Sequence, residues 1–352
     1  MAAAGQRHRF RALVVVYDSK EGYFIYRLNL KHLFSGDDYE ESPLQLRCFP
    51  CPVAHFQASH PNHVALAASG TDVIVADAKE RRTTFHHTDS SSASSGPDLQ
   101  AVKIRPVLLP VGDDMFFAMS GHTWKDDHPG IHYEALVRAA TGRRWAWRAL
   151  RDPPVRTGPR RAVNCEVTAY FVAGTRIWVS LQTEGTFSFD TVHRRWRKEG
   201  TWALPVKGRA ILVPDFLGGG RPLLFGFCSR DFCSRERTLC ACDIEARPQV
   251  VAQVWEESYP REWCVRAGHM MLHQPVELEH FGGGRFCISR HILVQDTTPS
   301  RLALSLMAVE MTPELQLLKR NISCYLMPPS GILGSLLPGQ VQTSHSTSSV
   351  SL

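Results

Sequence analysis

The chain has 352 residues, 43% of them hydrophobic and 21% charged, with 40 lysines and arginines against 34 aspartates and glutamates and a formal net charge of +6. The apolar fraction is ample for a folded core, and no apolar run approaches the roughly 20 residues of a membrane-spanning helix, so no membrane partner is expected. Twenty-five glycines and twenty-two prolines scattered at turn positions argue against long helices and for an all-β fold.

From the N-terminus, residues 1–8 read as disordered. Met1 to Phe10 is small and basic and leads into only Ala12 to Val16 before Tyr17-Asp18-Ser19. That is too short for the apolar region of a signal peptide, which points to a cytoplasmic or nuclear protein with reduced thiols. Ala12 to Tyr17 is a first strand. Cys48-Phe-Pro-Cys51 has the spacing of half a zinc knuckle, and Cys228, Cys233, Cys240 and Cys242 could supply the rest. Structural zinc needs four ligands converging in a tetrahedron, whereas alternate residues such as Cys240 and Cys242 simply share one face of a strand. Buried reduced cysteines are the better reading, and neither metal nor cofactor is expected. Thr88 to Asp98, with Ser90-Ser-Ser-Ala-Ser-Ser-Gly96 at its centre, reads as a flexible loop at 88–98. Asp113-Asp114 and Asp126-Asp127-His128 lie beside glycines and Pro129, and read as turns before they read as a carboxylate site.

A basic stretch follows. Arg143, Arg144, Arg148 and Arg151 interleave with Trp145 and Trp147, Arg156, Arg160 and Arg161 extend the run, and His193-Arg-Arg-Trp-Arg-Lys198 repeats the theme. Arginine beside aromatics can hold phosphates and stack on bases. It is also the usual partner of surface carboxylates and indole faces. Segment 143–161 therefore reads first as a solvated rim and second as a surface for an anionic partner, with nucleic acid the less favoured occupant.

Glu166 to Lys198 is the most regular part of the chain. Glu166 to Val172 is a strand, Ala173-Gly174-Thr175 a turn, and in Arg176 to Gln182 the apolar Ile177, Val179 and Leu181 alternate with Arg176, Trp178 and Ser180. Thr183-Glu184-Gly185 turns again, Thr186 to Phe189 puts Phe187 and Phe189 on one face, and Trp196 anchors a fourth strand. One such sheet is too small to stand alone and must stack on copies of itself. Weaker counterparts end in Phe85, Trp145 and Trp255, which with Trp196 fall roughly fifty to sixty residues apart. That period with four short strands per unit is the mark of a kelch-like β-propeller, of about six blades, or seven if some are short. Phe85, Trp145, Phe187, Phe189, Trp196, Trp202 and Trp255 are the expected structural anchors between blades. Gly218-Gly-Gly220 and Gly282-Gly-Gly284 lack a following Gly-Lys-Ser/Thr and read as hairpin corners. Pro313 to Arg320 is the best helix candidate. Past Met327 the chain turns proline- and serine-rich, so the domain is read as 9–328 and 329–352 as a disordered tail. Ring closure is expected to pair Ala12 to Tyr17 with strands near Leu302 to Val309.

Gly185-Thr-Phe-Ser-Phe-Asp190, Trp196, Gly200-Thr-Trp-Ala-Leu-Pro205, Lys207-Gly-Arg-Ala210 and Val213-Pro-Asp215 resemble a domain-of-unknown-function family expanded in grasses, whose members are similar to kelch and F-box-associated propellers. Phe10 to Tyr17, Asn62 to Thr84 and Leu224 to Trp255 fit the same order of blades. The resemblance implies a plant protein with a propeller fold and transfers no catalytic residue. Because strand-like Ala12 to Tyr17 begins almost at once, no room is expected for an F-box.

The function expected from these readings is a non-enzymatic protein–protein interaction module with an unknown protein partner. The alternatives are an enzyme with its site at the channel mouth, or nucleic-acid binding through 143–161. No catalytic, cofactor-binding or metal residue is assigned.

Overall fold

The computed structural model describes residues 11–34, 45–59, 61–70, 72–112, 115–123, 131–138, 144–154, 165–229, 238–246, 250–255, 277–294, 301–328 and 331–338. Their regular elements are strands, apart from short 3-10 turns at Lys31–Leu33 and Pro61–His63. Among them no helix is long and apolar enough to cross a membrane.

The strands run β1 (Arg11–Asp18), β2 (Gly22–Asn29), β3 (Leu46–Arg47), β4 (Ala54–Phe56), β5 (Val64–Ser69), β6 (Asp72–Asp77), β7 (Arg82–His87), β8 (Ser92–Ser95) and β9 (Pro106–Pro110). They continue as β10 (Met115–Ser120), β11 (His122–Thr123), β12 (Tyr133–Arg138), β13 (Trp145–Leu150), β14 (Cys165–Ala173), β15 (Arg176–Leu181), β16 (Gly185–Asp190), β17 (Arg195–Gly200) and β18 (Val206–Val213). The last are β19 (Leu223–Cys228), β20 (Leu239–Asp243), β21 (Val250–Trp255), β22 (Glu277–His280), β23 (Arg285–Val294), β24 (Arg301–Met311), β25 (Leu317–Leu326) and β26 (Gly331–Pro338).

Four-stranded antiparallel meanders recur. β5-β6-β7-β8 and β9-β10-β12-β13 are separate sheets, and β22-β23-β24-β25 carries β3 as a fifth strand. β14-β15-β16-β17 and β18-β19-β20-β21 fuse into a larger sheet through a short parallel pairing, Ala169 with Gly208 and Tyr170 with Arg209. The remaining sheet is ordered β26-β1-β2-β4, so the last described strand pairs with the first.

The segment 166–198 folds as its alternation predicts. Ile177, Val179 and Leu181 are buried on one face of β15 and lie opposite Phe189, Phe187 and Gly185 of β16. The β15–β16 turn needs Gly185, whose φ of 94° lies in the left-handed region and where a Cβ would strike the carbonyl oxygen of Gly200. At the next turn Asp190 accepts hydrogen bonds from the backbone N–H groups of Val192 (3.0 Å) and His193 (2.9 Å), the side-chain device that favours aspartate in turns. The two glycine triplets are hairpin corners, joining β18 to β19 and β22 to β23 with positive φ throughout.

Apolar clusters lie between the meanders. Leu13, Val15 and Ile25 pack on Val73 and Val75. Ile74 and Phe85 meet Phe116, Leu136 and Trp147. Phe117 and Tyr133 meet Val179, Phe187 and Phe189. Phe171 meets Leu224 and Cys240, and Phe225 and Trp255 meet Phe286, Ile288 and Met307. Leu304, Leu306 and Tyr325 meet Val14 and Tyr26.

Four expectations are corrected. Ser92–Ser95, inside the presumed loop, is strand β8: its serines are exposed, but the backbone pairs with β7, so an edge strand forms without an apolar face. Gly331–Pro338, inside the presumed tail, is β26, with Leu337 buried; the rest of 329–352 lies outside the described residues, as do residues 1–8. The strand that pairs with β1 is therefore β26 and not Leu302 to Val309, which sits between β23 and β25. Pro313 to Arg320 is not a helix. Thr312 to Gln316 is a tight turn in which Leu315 has φ 63°, and β25 starts at Leu317.

Candidate functional site

One cavity of about 170 Å³ draws its walls from six different strands: Val64 to Ala68 of β5, Pro106 to Pro110 of β9, Tyr170 of β14, Arg209 of β18, Glu277 and Leu278 of β22, and Leu337 of β26. Each of these is the terminal strand of its meander or lies at the β14–β18 junction. Arg209 Nη1 donates to Glu279 Oε2 at 3.1 Å. The carboxylate of Glu279 raises the arginine pKa further, so the guanidinium is a fixed cation. Burial raises the pKa of Glu279 and Arg209 lowers it, with burial the larger influence. Burial pushes the Tyr170 phenol up to about 12, which makes it a hydrogen-bond donor and not a base at neutral pH. Small-molecule sites usually need about 300–1,000 Å³. This cavity has room for only about six waters at roughly 30 Å³ each.

A second buried polar cluster sits where the chain crosses from β8 to β9. The Lys103 ammonium donates to Glu134 Oε1 (2.5 Å) and to the carbonyl of Ile131 (3.1 Å), and both side chains are fully buried. Glu134 also accepts from the N–H groups of Gln100 (2.8 Å) and Ala101 (3.1 Å). Burial pulls the Lys103 pKa down, with Glu134 opposing it. Nearby Asp152 is pushed up to about 6 by burial, against the pull of Lys103.

The structure splits the basic stretch. Arg143 lies outside the described residues, as do Arg156, Arg160 and Arg161. Arg144, Arg148 and Arg151 are exposed, whereas Trp147 is buried and its Nε1 donates to Thr83 Oγ1 of β7 at 2.8 Å. Trp145 lies between Phe85 (5.9 Å between ring centroids) and Phe116 (5.8 Å), with the Arg138 guanidinium over it at 4.9 Å. Trp196 of β17 reaches Phe189 in its own sheet (5.0 Å) and Tyr133 of β12 in the next (5.1 Å), and its Nε1 donates to the Arg151 carbonyl at 2.6 Å. Trp255 lies 6.3 Å from Phe225 and donates to the Leu315 carbonyl across the next seam at 3.0 Å. Trp202 packs against the cluster around Phe171. Phe85 differs from Trp145, Trp196 and Trp255 in lying on the third strand of its meander, not the fourth.

Of the cysteines, Cys48 and Cys51 are exposed, while Cys228, Cys240 and Cys242 are buried in β19 and β20, with the Cys240 and Cys242 sulfurs 3.8 Å apart. Cys233 and the Asp113-Asp114 and Asp126-Asp127-His128 turns lie outside the described residues. Among the described residues no three His, Cys, Asp or Glu side chains are grouped to hold a metal. Sequence reading missed Tyr170, Arg209, Glu277, Lys103 and Glu134. Each is an isolated polar residue in a strand or crossover, brought to its partner only by tertiary packing.

Fold and cavity together define an all-β protein of packed four-stranded antiparallel meanders whose terminal strands enclose a small polar-flecked space. A family model described as "Protein of unknown function (DUF1668)" matches residues 8–325, and the chain belongs to that family. No curated protein matches it.

Proposed function

We propose that the chain is a closed, kelch-like propeller of six blades, from a plant, acting in the cytoplasm or nucleus as a protein–protein interaction module. The ring reading rests on the succession of apolar clusters, each joining one meander to the next, and on β26 completing the sheet that β1 begins. Propellers hold many loops and outer strands on a rigid frame, a geometry suited to docking other proteins.

The observation that carries the binding role is the size and content of the central cavity. At about 170 Å³, with Arg209 already engaged by Glu279, it is small for a metabolite site, which favours the outer surface as the working part. Proximity labelling in plant tissue tests this. A reproducible set of labelled proteins, lost when exposed outer-strand side chains are replaced, is the expected result. Turnover of a small metabolite abolished by Tyr170→Phe would refute it in favour of a channel enzyme.

A further inference from the structure

A line of polar side chains crosses the outer strands of the β5–β8 meander. The imidazole of His87 in β7 meets Asp72 Oδ1 of β6 through Nδ1 at 3.0 Å and Ser94 Oγ of β8 through Nε2 at 3.1 Å. In the neutral imidazole these partners fix the roles. A carboxylate only accepts, so Nδ1 carries the proton and Nε2 is left to accept from the Ser94 hydroxyl. Both distances are within the reach of a general base and the group that orients it. The register builds the line, since Asp72 lies opposite His87, His87 opposite Ser92, and Ser94 two residues further along β8 on the same face. Its members come from three strands, so no nucleophile motif in the sequence announces it. Arg27 of β2 donates to Thr88 Oγ1 and Asp89 Oδ1, each at 2.7 Å, and anchors the hairpin that carries His87 and Ser94.

We propose that Ser94 is a nucleophile with His87 as its general base and Asp72 as a positioning residue, a site for hydrolysis of carboxylic esters that carry an aromatic group. The Ser94 oxygen forms a bond to the ester carbonyl carbon while His87 Nε2 takes the hydroxyl proton and the carbonyl electron pair moves onto oxygen. As that pair returns, the bond to the leaving oxygen breaks and the leaving oxygen takes the proton from Nε2. Water then repeats both steps on the acyl-serine, which releases the carboxylic acid and restores the Ser94 hydroxyl. A donor for the oxyanion is at hand. Gly96 N–H donates to the Thr83 carbonyl at 2.8 Å, so by the alternation of an antiparallel pair the Ser94 main chain also faces β7, and the Ser95 N–H points to the open side of β8, which ends its sheet among the described residues. The residue after the nucleophile is a usual oxyanion donor. Phe85 lies opposite Ser94 and stacks on half-buried Trp145 of the next meander at 5.9 Å, an apolar wall for the aromatic group. Ser94 is exposed and the other two are half-buried, so an ester reaches the line from solvent. The site lies outward of β5, the strand of this meander that lines the cavity, and it does not rest on the interaction-module reading.

The test treats the full chain with a fluorophosphonate probe, which phosphonylates activated serine hydroxyls, maps the label by mass spectrometry and measures hydrolysis of para-nitrophenyl benzoate. Ser94 is expected to carry the label and Ser94→Ala to lose it. His87→Gln is expected to slow labelling and hydrolysis by about tenfold or more, while Ser92→Ala, on the same strand and face, changes neither. Asp72→Asn is expected to lower kcat with KM held, because an amide that donates to Nδ1 leaves Nε2 protonated and unable to accept. The melting temperature should stay put in every variant. The proposal is overturned if the probe leaves Ser94 unlabelled, if it labels Ser92 and other exposed serines equally, or if His87→Gln leaves the rate unchanged. None of these results touches the docking role, which proximity labelling tests separately.

Discussion

Replacing Lys103 by Met should destabilise the protein far more than loss of one surface lysine would. The ammonium and the Glu134 carboxylate are both fully buried and 2.5 Å apart, with 3.1 Å from the ammonium to the Ile131 carbonyl and 2.8 and 3.1 Å from two backbone N–H groups to the carboxylate, and Asp152 is a more distant second counter-charge to the ammonium. Methionine fills much the same volume, so the loss is electrostatic: a buried carboxylate left with two amides for company. Breaking a buried pair costs about 3–5 kcal/mol. The two amides place Lys103→Met near about 3 kcal/mol. Glu134→Gln alone strands the ammonium and should cost about as much. The double variant removes both charges while the glutamine oxygen still accepts from Gln100 and Ala101, so its loss should be about 2 kcal/mol or less, giving a coupling of about 4 kcal/mol or more. Urea unfolding followed by tryptophan fluorescence measures all three. Single losses below about 1 kcal/mol, or a double variant equal to the sum of the singles, would refute the pair as the staple holding the β8–β9 crossover to β12.

Three further outcomes follow from named contacts. Trp196→Ala should cost about 2–4 kcal/mol, below the full price of a buried tryptophan because the ring is only half-buried, and an unchanged melting temperature would deny it the role of wedge between β17 and β12. Asp152 has a folded-state pKa raised from 3.8 to about 6, so the folded form holds the proton more tightly than the unfolded chain. Stability should then fall by about 1 kcal/mol as pH rises from about 4 to about 6, the full shift being discounted for the partial exposure of the carboxyl, and Asp152→Asn should flatten that slope in pH-resolved denaturation. Gly185→Ala meets both a positive φ and the Gly200 carbonyl, and should lose more than about 2 kcal/mol; a loss under about 0.5 kcal/mol in the same assay would mean the turn can relax.

What could be read in advance follows the range over which the physics acts. The hairpins of 166–198 were legible because alternation in β15 and β16, turn residues at Gly174 and Gly185, and the Asp190 turn are all local. β8 was not, because its pairing to β7 uses backbone groups that serine composition does not advertise. β26 was hidden by its two glycines and Pro338, and its strand character comes from β1, more than three hundred residues away. Arginine enrichment was visible, but the inward turn of Trp145, Trp147 and Trp196 depends on neighbouring sheets. The same holds for Arg209 with Glu279 and Lys103 with Glu134, whose partners lie 70 and 31 residues away.

Comparing chains ending at residue 340 and at residue 328 in a thermal melt asks whether β26 closes the fold. The longer chain keeps β26 paired along β1 and should unfold in a single cooperative transition like the full protein. The shorter one leaves the inner edge of β1 and the apolar face around Leu13 and Val15 open, and should melt at far lower temperature or aggregate. Identical melting of the two chains would contradict the ring.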